Sequence, residues 1–369
     1  MTGAGEQSDA GRRLEDRPAL LAAMLADSQS AGPLWRPGAY WRPYCARITR
    51  ELARTGLRDV RTNQRLLKGY ALGGVPAPTL PRAAWKRAVW TLAERAPVVA
   101  LIVGEYRRLV AAEHAQAVRL RTLHARRVLD EIAQAFPALK PPAGLAAGGP
   151  DDAFDWRGHT VTAHWVEYLC RAADFYAAVA PAQVRALLEI GPGLGLSTLA
   201  HLALNPELRL VVNCDIPPVL YVSTQFLRAS PGLRVVDYLD WRAGARAGAE
   251  PGARPVLVQI APWHLADLAV PVDAAFNAFS FQEMEQDICR AYAAIIARQT
   301  TGWVGLHGSV EGHKPGAGGQ QAPVRMGFLR ALFAPDFPHE VPTPGRWARL
   351  YGRDPREAAV LARSRPPAA

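Results

Sequence analysis

The chain has 369 residues, of which 49% are hydrophobic, with a formal net charge of +10 and four cysteines. That length buries a full core and leaves room for two units. The scattered Cys45, Cys170, Cys214 and Cys289 form no CxxC pair, which argues against a zinc site or a disulfide framework and points to a reducing, cytoplasmic setting. Of the 43 basic residues only Lys68, Lys86, Lys140 and Lys314 are lysine, so in a chain rich in Ala, Gly and Pro a GC-rich gene explains the charge better than nucleic-acid binding does.

Residues 1–17 are polar and mixed in charge, unlike a secretory signal. A short helix is expected at 19–26, then an aromatic and basic segment at 33–44 that holds Trp35, Trp41 and Tyr44. Those rings can stack on a sugar or pack N-terminal helices against the rest of the chain. Further helices are expected near 46–55, 82–93 and 98–136, the last broken once. Arg107, Arg108, Arg119, Arg121, Arg126 and Arg127 lie on that last stretch among Glu105 and Glu113, which reads as a solvated face. The longest aliphatic run, 97–103, is far below the roughly 20 residues of a membrane span, although peripheral membrane contact stays open. Residues 137–150 hold four prolines and three glycines and read as a linker. This divides a helical N-terminal region, 1–150, from a second unit, 151–369.

From residue 155 strands and helices alternate. A helix is expected at 163–178, strands at 187–190 and 208–214, and a helix from Pro217-Pro218 to just before Ser230, proline being favoured in a first turn. A short strand at 233–236, a loop at 242–255 and strands at 256–260 and 272–277 follow. A helix at 284–298 and a strand at 303–307 complete the alternation, with a late antiparallel strand at 347–351. Such alternation means an α/β fold with a Rossmann-like, doubly wound, mostly parallel sheet.

The most informative segment is Glu189-Ile190-Gly191-Pro192-Gly193-Leu194-Gly195, where an apolar strand ends in an acid and opens into glycines at alternate positions. Glycines let backbone approach a ligand, and the helix start beyond them presents free N–H groups. A dinucleotide fingerprint needs a glycine at the sixth position, and Leu196 stands there. The acid precedes the loop, and a second acid, Asp215, closes the next strand about twenty residues on, where an acid can accept ribose hydroxyls. The pattern Glu-x-Gly-x-Gly-x-Gly resembles the first motif of class I S-adenosylmethionine-dependent methyltransferases.

Two more segments narrow that resemblance. Asp215-Ile216-Pro217-Pro218-Val219 and Asn277-Ala278-Phe279-Ser280-Phe281-Gln282-Glu283-Met284 are similar to segments of a family of bacterial sugar O-methyltransferases within that superfamily. The likeness covers roughly residues 155–310 and extends more loosely to 35–61, where Gly56-Leu57-Arg58 also looks similar. It implies S-adenosylmethionine as cofactor and a sugar hydroxyl of a polysaccharide, glycolipid or glycosylated natural product as acceptor.

On that basis Glu189, Gly191, Gly193, Gly195, Asp215 and Ile216 are expected at the cofactor, with residues 261–263 near the adenine and Asn277, Ser280 and Gln282 at the acceptor. A sugar hydroxyl needs a nearby base, and Glu283, His307 and His264 are the candidates. Ser280 and Glu283 equally fit a capping box, which would make Glu283 structural. No His or acid spacing suggests a metal. Residues 312–319 suit a lid or a plain loop. RNA or another small molecule as methyl acceptor, and a non-catalytic binding protein of the same fold, are the alternative readings.

Overall fold

The computed structural model describes residues 13–63, 66, 97–245, 254–312, 322–341, 343 and 348–353. The helix expected at 82–93 and all but the first residue of the possible lid lie outside the described residues.

The N-terminal part contributes helices α1 (Pro18–Ser30), α2 (Trp41–Thr55) and α3 (Pro97–Ala135). The break expected in α3 is absent. No proline interrupts residues 98–135, and a single interior glycine, Gly104, costs a helix only about 1 kcal/mol. A hairpin follows, β1 (Ala153–Trp156) and β2 (His159–Thr162), that the sequence pattern did not announce. Its turn puts Arg157 and Gly158 at φ of 51° and 79°. Arginine rarely adopts that left-handed conformation, so the usual Asn-Gly signal is missing.

The main sheet comprises β3 (Ala186–Ile190), β4 (Leu210–Cys214), β5 (Arg234–Val236), β6 (Val256–Ile260), β7 (Val272–Ala278), β8 (Thr300–His307), β9 (His339–Val341) and β10 (Ala348–Gly352). Their spatial order is β5-β6-β4-β3-β7-β8-β10-β9. Every pairing from β5 to β8 is parallel, while β10 runs antiparallel to both β8 and β9. The connecting helices are α4 (Ala163–Tyr176), α5 (Leu196–Leu204), α6 (Pro217–Arg228), α7 (Tyr238–Arg242), α8 (Gln286–Gln299) and α9 (Met326–Phe333). The expected doubly wound sheet and its late antiparallel strand are therefore present. Helix α9 and strand β9 were not foreseen, nor was α7, which lies between the expected strand at 233–236 and the expected loop at 242–255.

Two cores flank this sheet, because alternate residues of each strand face opposite sides. Leu187, Val211, Leu257 and Ala274 face one side, and Leu188, Val212, Val258 and Ala275 the other. The first core is shared with the N-terminal helices through Leu20, Met24, Ile48, Leu52 and Leu129. The Pro/Gly-rich stretch at 137–150 is likewise packed rather than strung between units. Arg61 N–H donates to the Gly148 carbonyl at 3.0 Å, the Arg61 guanidinium donates to the Leu145 carbonyl, and Leu145 is buried. A methyl group on Gly148 would meet Val60 at 2.7 Å. Residues that look like linker by composition thus seat the N-terminal region on the sheet.

The chain winds outward from β3 to β4 and then returns to β7 on the other side of β3. At such a reversal the two connections diverge and leave a crevice at the carboxyl ends of the strands.

Candidate active site

A cavity of about 220 Å³ lies at that crevice. Its floor is Glu189 at the end of β3, the loop residues Gly191, Pro192 and Gly193, Ser197 in the first turn of α5, and Asp215, Ile216 and Val219 after β4. Pro262, after β6, Ala278, the last residue of β7, and Phe279, Ser280 and Glu283 beyond it close the sides. One wall is α4, through His164, Tyr168 and Arg171. The roof is the N-terminal segment, through Trp35, Arg36, Gly38, Tyr40 and Trp41.

Local chemistry explains how the loop is held. Gly191 has φ of +70°, and a methyl group there would stand 2.4 Å from Ser280 Oγ. The Ser280 hydroxyl and the Asn277 amide both donate to the Ile190 carbonyl, at 3.0 and 2.9 Å, so the end of β7 clamps the end of β3. Asp215 accepts from Gly193 N–H at 3.1 Å and from Ile216 N–H at 2.8 Å, which fixes the far side of the loop.

Glu189 is 2% exposed and accepts from the Thr198 hydroxyl at 2.8 Å. Burial raises its carboxyl to about 7, opposed by the neighbouring serine and threonine hydroxyls. Burial also raises Asp215 to about 7. The Ile216 and Gly193 N–H groups oppose this, and the carboxylates of Glu283 and Glu189 add to it. Among the described residues neither acid pairs with an arginine or lysine. The arrangement is a poorly solvated acidic floor, whose ionised form a cationic ligand would favour.

Of the three candidate bases, only Glu283 lines the cavity. Its Oε2 accepts from Trp41 Nε1 at 3.1 Å. The capping box is not formed. Phe279, at φ of +66°, precedes a short 3-10 turn, Ser280–Glu283, that has no side-chain cap. The left-handed residue redirects Ser280 toward β3 and frees Glu283 for the roof.

His307 ends β8 and is 9% exposed, with its ring against Phe279 at 5.4 Å. Burial, helped by Arg171, lowers it to about 3, which makes it a weak base at neutral pH. His264 lies in the 3-10 turn Pro262–Asp267, with Nδ1 3.4 Å from Asp267 and its ring against Tyr238. Neither histidine is in the cavity wall.

Gly195 also lies behind the wall, as the left-handed residue that starts α5. Asn277 and Gln282, expected at the acceptor, are buried behind the wall as well. Gln282 spans to the loop after β8, donating to the Ser309 carbonyl at 2.6 Å and accepting from Ser309 N–H at 2.9 Å. Both side chains hold the cavity's frame instead of facing it. Ser280 and the remaining cofactor candidates do line it.

The sequence reading missed the α4 wall and most of the roof. His164, Tyr168 and Arg171 recur at a spacing that puts them on one helix face, and that period was the available signal. Thr162 caps the helix, accepting from Trp165 N–H at 3.2 Å, while Trp165, Val166 and Leu169 take the core face. The roof is fastened by two acids. Glu285 accepts from Ala39 N–H at 2.6 Å, Glu283 holds Trp41, and Trp35 packs edge-on against Tyr292.

No family model and no curated protein matches the sequence. Among solved structures the chain is similar to magnesium protoporphyrin IX methyltransferase from Synechocystis PCC 6803 with bound SAH. The identity is 14%, over 52% of this chain and 83% of that one, with a TM-score of 0.32. It is also similar to mitomycin 7-O-methyltransferase, at 15% identity over 91% of this chain and 72% of that one, TM-score 0.34. A third is human N-acetylserotonin methyltransferase in complex with SAM, at 12% identity over 52% of this chain and 54% of that one, TM-score 0.36. Among the described residues no helix is long and apolar enough to cross a membrane, and no group of His, Cys, Asp and Glu has metal-binding geometry.

Proposed function

We propose that the chain transfers a methyl group from S-adenosylmethionine to a hydroxyl of a sugar. The observation that carries this reading is the placing of Glu189 and Asp215 beside one glycine loop on a single cavity floor, Glu189 buried and Asp215 half-buried, neither with a basic partner among the described residues. S-adenosylmethionine brings an ammonium and a sulfonium to such a floor, and its ribose hydroxyls suit an acid at the tip of β4. The sugar class rests on the likeness of the segments at 215–219 and 277–284, supported by the aromatic side chains of Tyr40 and Trp41 in the cavity roof, a residue type that packs on pyranoses.

When bound, S-adenosylmethionine supplies an electrophilic methyl group, so the acceptor oxygen bonds to carbon as the carbon–sulfur bond breaks and sulfur keeps the electron pair. Glu189 would hold the ammonium end and Asp215 the ribose, with the apolar side chains of Ile216, Val219 and Pro262 available to the adenine. Glu283 takes the hydroxyl proton, and the Trp41 N–H steadies its carboxylate in position. The roof keeps water from the acceptor oxygen, and holding that oxygen in line supplies much of the rate.

The test is calorimetric titration of the folded protein with S-adenosylhomocysteine, followed by mass-spectrometric detection of methyl transfer to a panel of glycosides. Absence of cofactor binding by folded protein refutes the reading. Binding with no transfer to any glycoside favours a non-catalytic binding protein.

A further inference from the structure

The cavity is electrically polarised. Glu189 and Asp215 occupy its floor at the ends of β3 and β4, whereas the α4 wall is basic. His164 is 4% exposed, and its Nε2 has no hydrogen-bond partner. Its ring is held well below the usual imidazole range by burial and by the guanidinium groups of Arg61, Arg121 and Arg171.

Two of those arginines are committed elsewhere. Arg61 donates to the Leu145 carbonyl and to Thr162 Oγ1, and Arg121 pairs with Glu167 at 2.5 Å. Arg171 makes no ion pair among the described residues: of the two acids one turn away on its own helix, Glu167 is taken by Arg121 and Asp174 is not within salt-bridge distance. Its guanidinium lies over the Tyr168 ring at 4.6 Å and near the Phe279 ring at 5.1 Å, and it lines the cavity. The two rings and a hydrogen bond with the Tyr168 hydroxyl hold the guanidinium in place, and its five N–H donors leave others for a planar acceptor. The acids on the opposite side do not reach across to it. Glu283 and Glu285 are engaged with Trp41 and Ala39 of the roof.

We propose that the methyl acceptor carries an anionic group, a carboxylate or a phosphate, and that Arg171 binds it with the His164 imidazole as a second hydrogen-bonding partner. This rests on the methyltransferase reading of the same cavity. The two ligands then lie with opposite charge distributions, the cofactor's cationic end over the acidic floor and the acceptor's anion against α4. Such complementarity sets the orientation of the acceptor and rejects neutral sugars.

The experiment uses the full chain saturated with S-adenosylhomocysteine and four probes in calorimetry. Methyl glucuronide is compared with its uncharged carboxamide, and glucose 6-phosphate with glucose. At least one anionic probe is expected to bind more tightly than its neutral counterpart by on the order of tenfold. The carboxylate pair and the phosphate pair tell an acidic sugar from a sugar phosphate. Arg171→Gln is expected to abolish the preference and Arg171→Lys to keep part of it, with S-adenosylhomocysteine affinity and melting temperature near wild type in both. Should Arg171→Gln not fold, the lysine variant and the loss of preference at high salt carry the test.

The proposal is overturned if neither anion is preferred, if no probe binds to cofactor-loaded protein, or if the preference survives in Arg171→Gln. Folded protein that fails to bind S-adenosylhomocysteine overturns the methyltransferase reading instead, so the two failures are distinct.

Discussion

Replacing Gly191 with alanine probes the geometry on which the cavity floor depends. The added methyl would stand 2.4 Å from Ser280 Oγ and 2.5 Å from Ser280 Cβ, on backbone at φ of +70°. An alanine in left-handed conformation costs about 1 kcal/mol, and overpacking a tight neighbour costs roughly 1–3 kcal/mol more. Ser280 cannot simply rotate away, because its hydroxyl is bonded to the Ile190 carbonyl and to the Asn277 amide. Urea denaturation followed by tryptophan fluorescence should therefore show a loss of about 2–4 kcal/mol. Ser280→Gly removes both clashing atoms at a cost of about 1–2 kcal/mol for the lost hydrogen bond and the freer chain. The double variant should lose less than the two single losses together, by about 1–3 kcal/mol, since the clash is gone and only the backbone penalty at residue 191 adds to the cost of Ser280→Gly. Strict additivity, or a Gly191→Ala protein within about 0.5 kcal/mol of wild type, refutes the close approach of the loop to the β7 end.

Burial lifts the Glu189 carboxyl from 4.5 to about 7 in the folded chain. Its contribution to stability is thus complete below pH about 4.5 and is lost as pH rises through 7, an effect on the order of 3 kcal/mol. The melting temperature of ligand-free wild type should fall over that window relative to Glu189→Gln, and parallel profiles would show that desolvation of this acid is not responsible. Glu283→Gln should slow methyl transfer by about 10²–10⁴ with S-adenosylhomocysteine affinity unchanged; a drop of less than about threefold moves the base elsewhere. Trp41→Phe removes the N–H held by Glu283 together with part of the ring packed on Tyr40 and Tyr44, and chemical denaturation should register a loss of about 1–3 kcal/mol. Gln282→Ala releases Ser309 from both amide contacts. A stability loss of about 1–3 kcal/mol, with cofactor affinity retained, is the expected outcome, whereas loss of acceptor binding alone would return Gln282 to the acceptor.

Much of the sheet was legible because its strands are buried on both faces. Val256–Ile260 is a continuous apolar run with one glutamine, and its bounds were readable without any structure. The loop from Glu189 to Gly195 was equally plain, since left-handed glycines at alternate positions have few other uses. Short-range signals misled where a side chain found a distant partner. Ser280 and Glu283 have capping-box spacing, yet Ser280 bonds to Ile190 and Glu283 to Trp41, both far away in sequence. The Pro/Gly-rich 137–150 stretch is packed for the same reason, its glycines being small enough to let Val60 and Ser230 approach.

Local pattern alone thus determined the alternation of strands and helices, the glycine loop and the two acids beside it, because each depends on residues adjacent in sequence. Which polar groups share a cavity was decided by tertiary structure. His307 and His264 look as reactive as Glu283 in sequence, but one is desolvated behind Phe279 and the other packs beside Tyr238. Conversely, Arg171 and His164 have no motif, and their place in the wall follows from how α4 lies over the ends of β7 and β8. Desolvation, unpaired charge and a roof supplied from residues 34–41 are properties of the packed chain, and no window of sequence contains them.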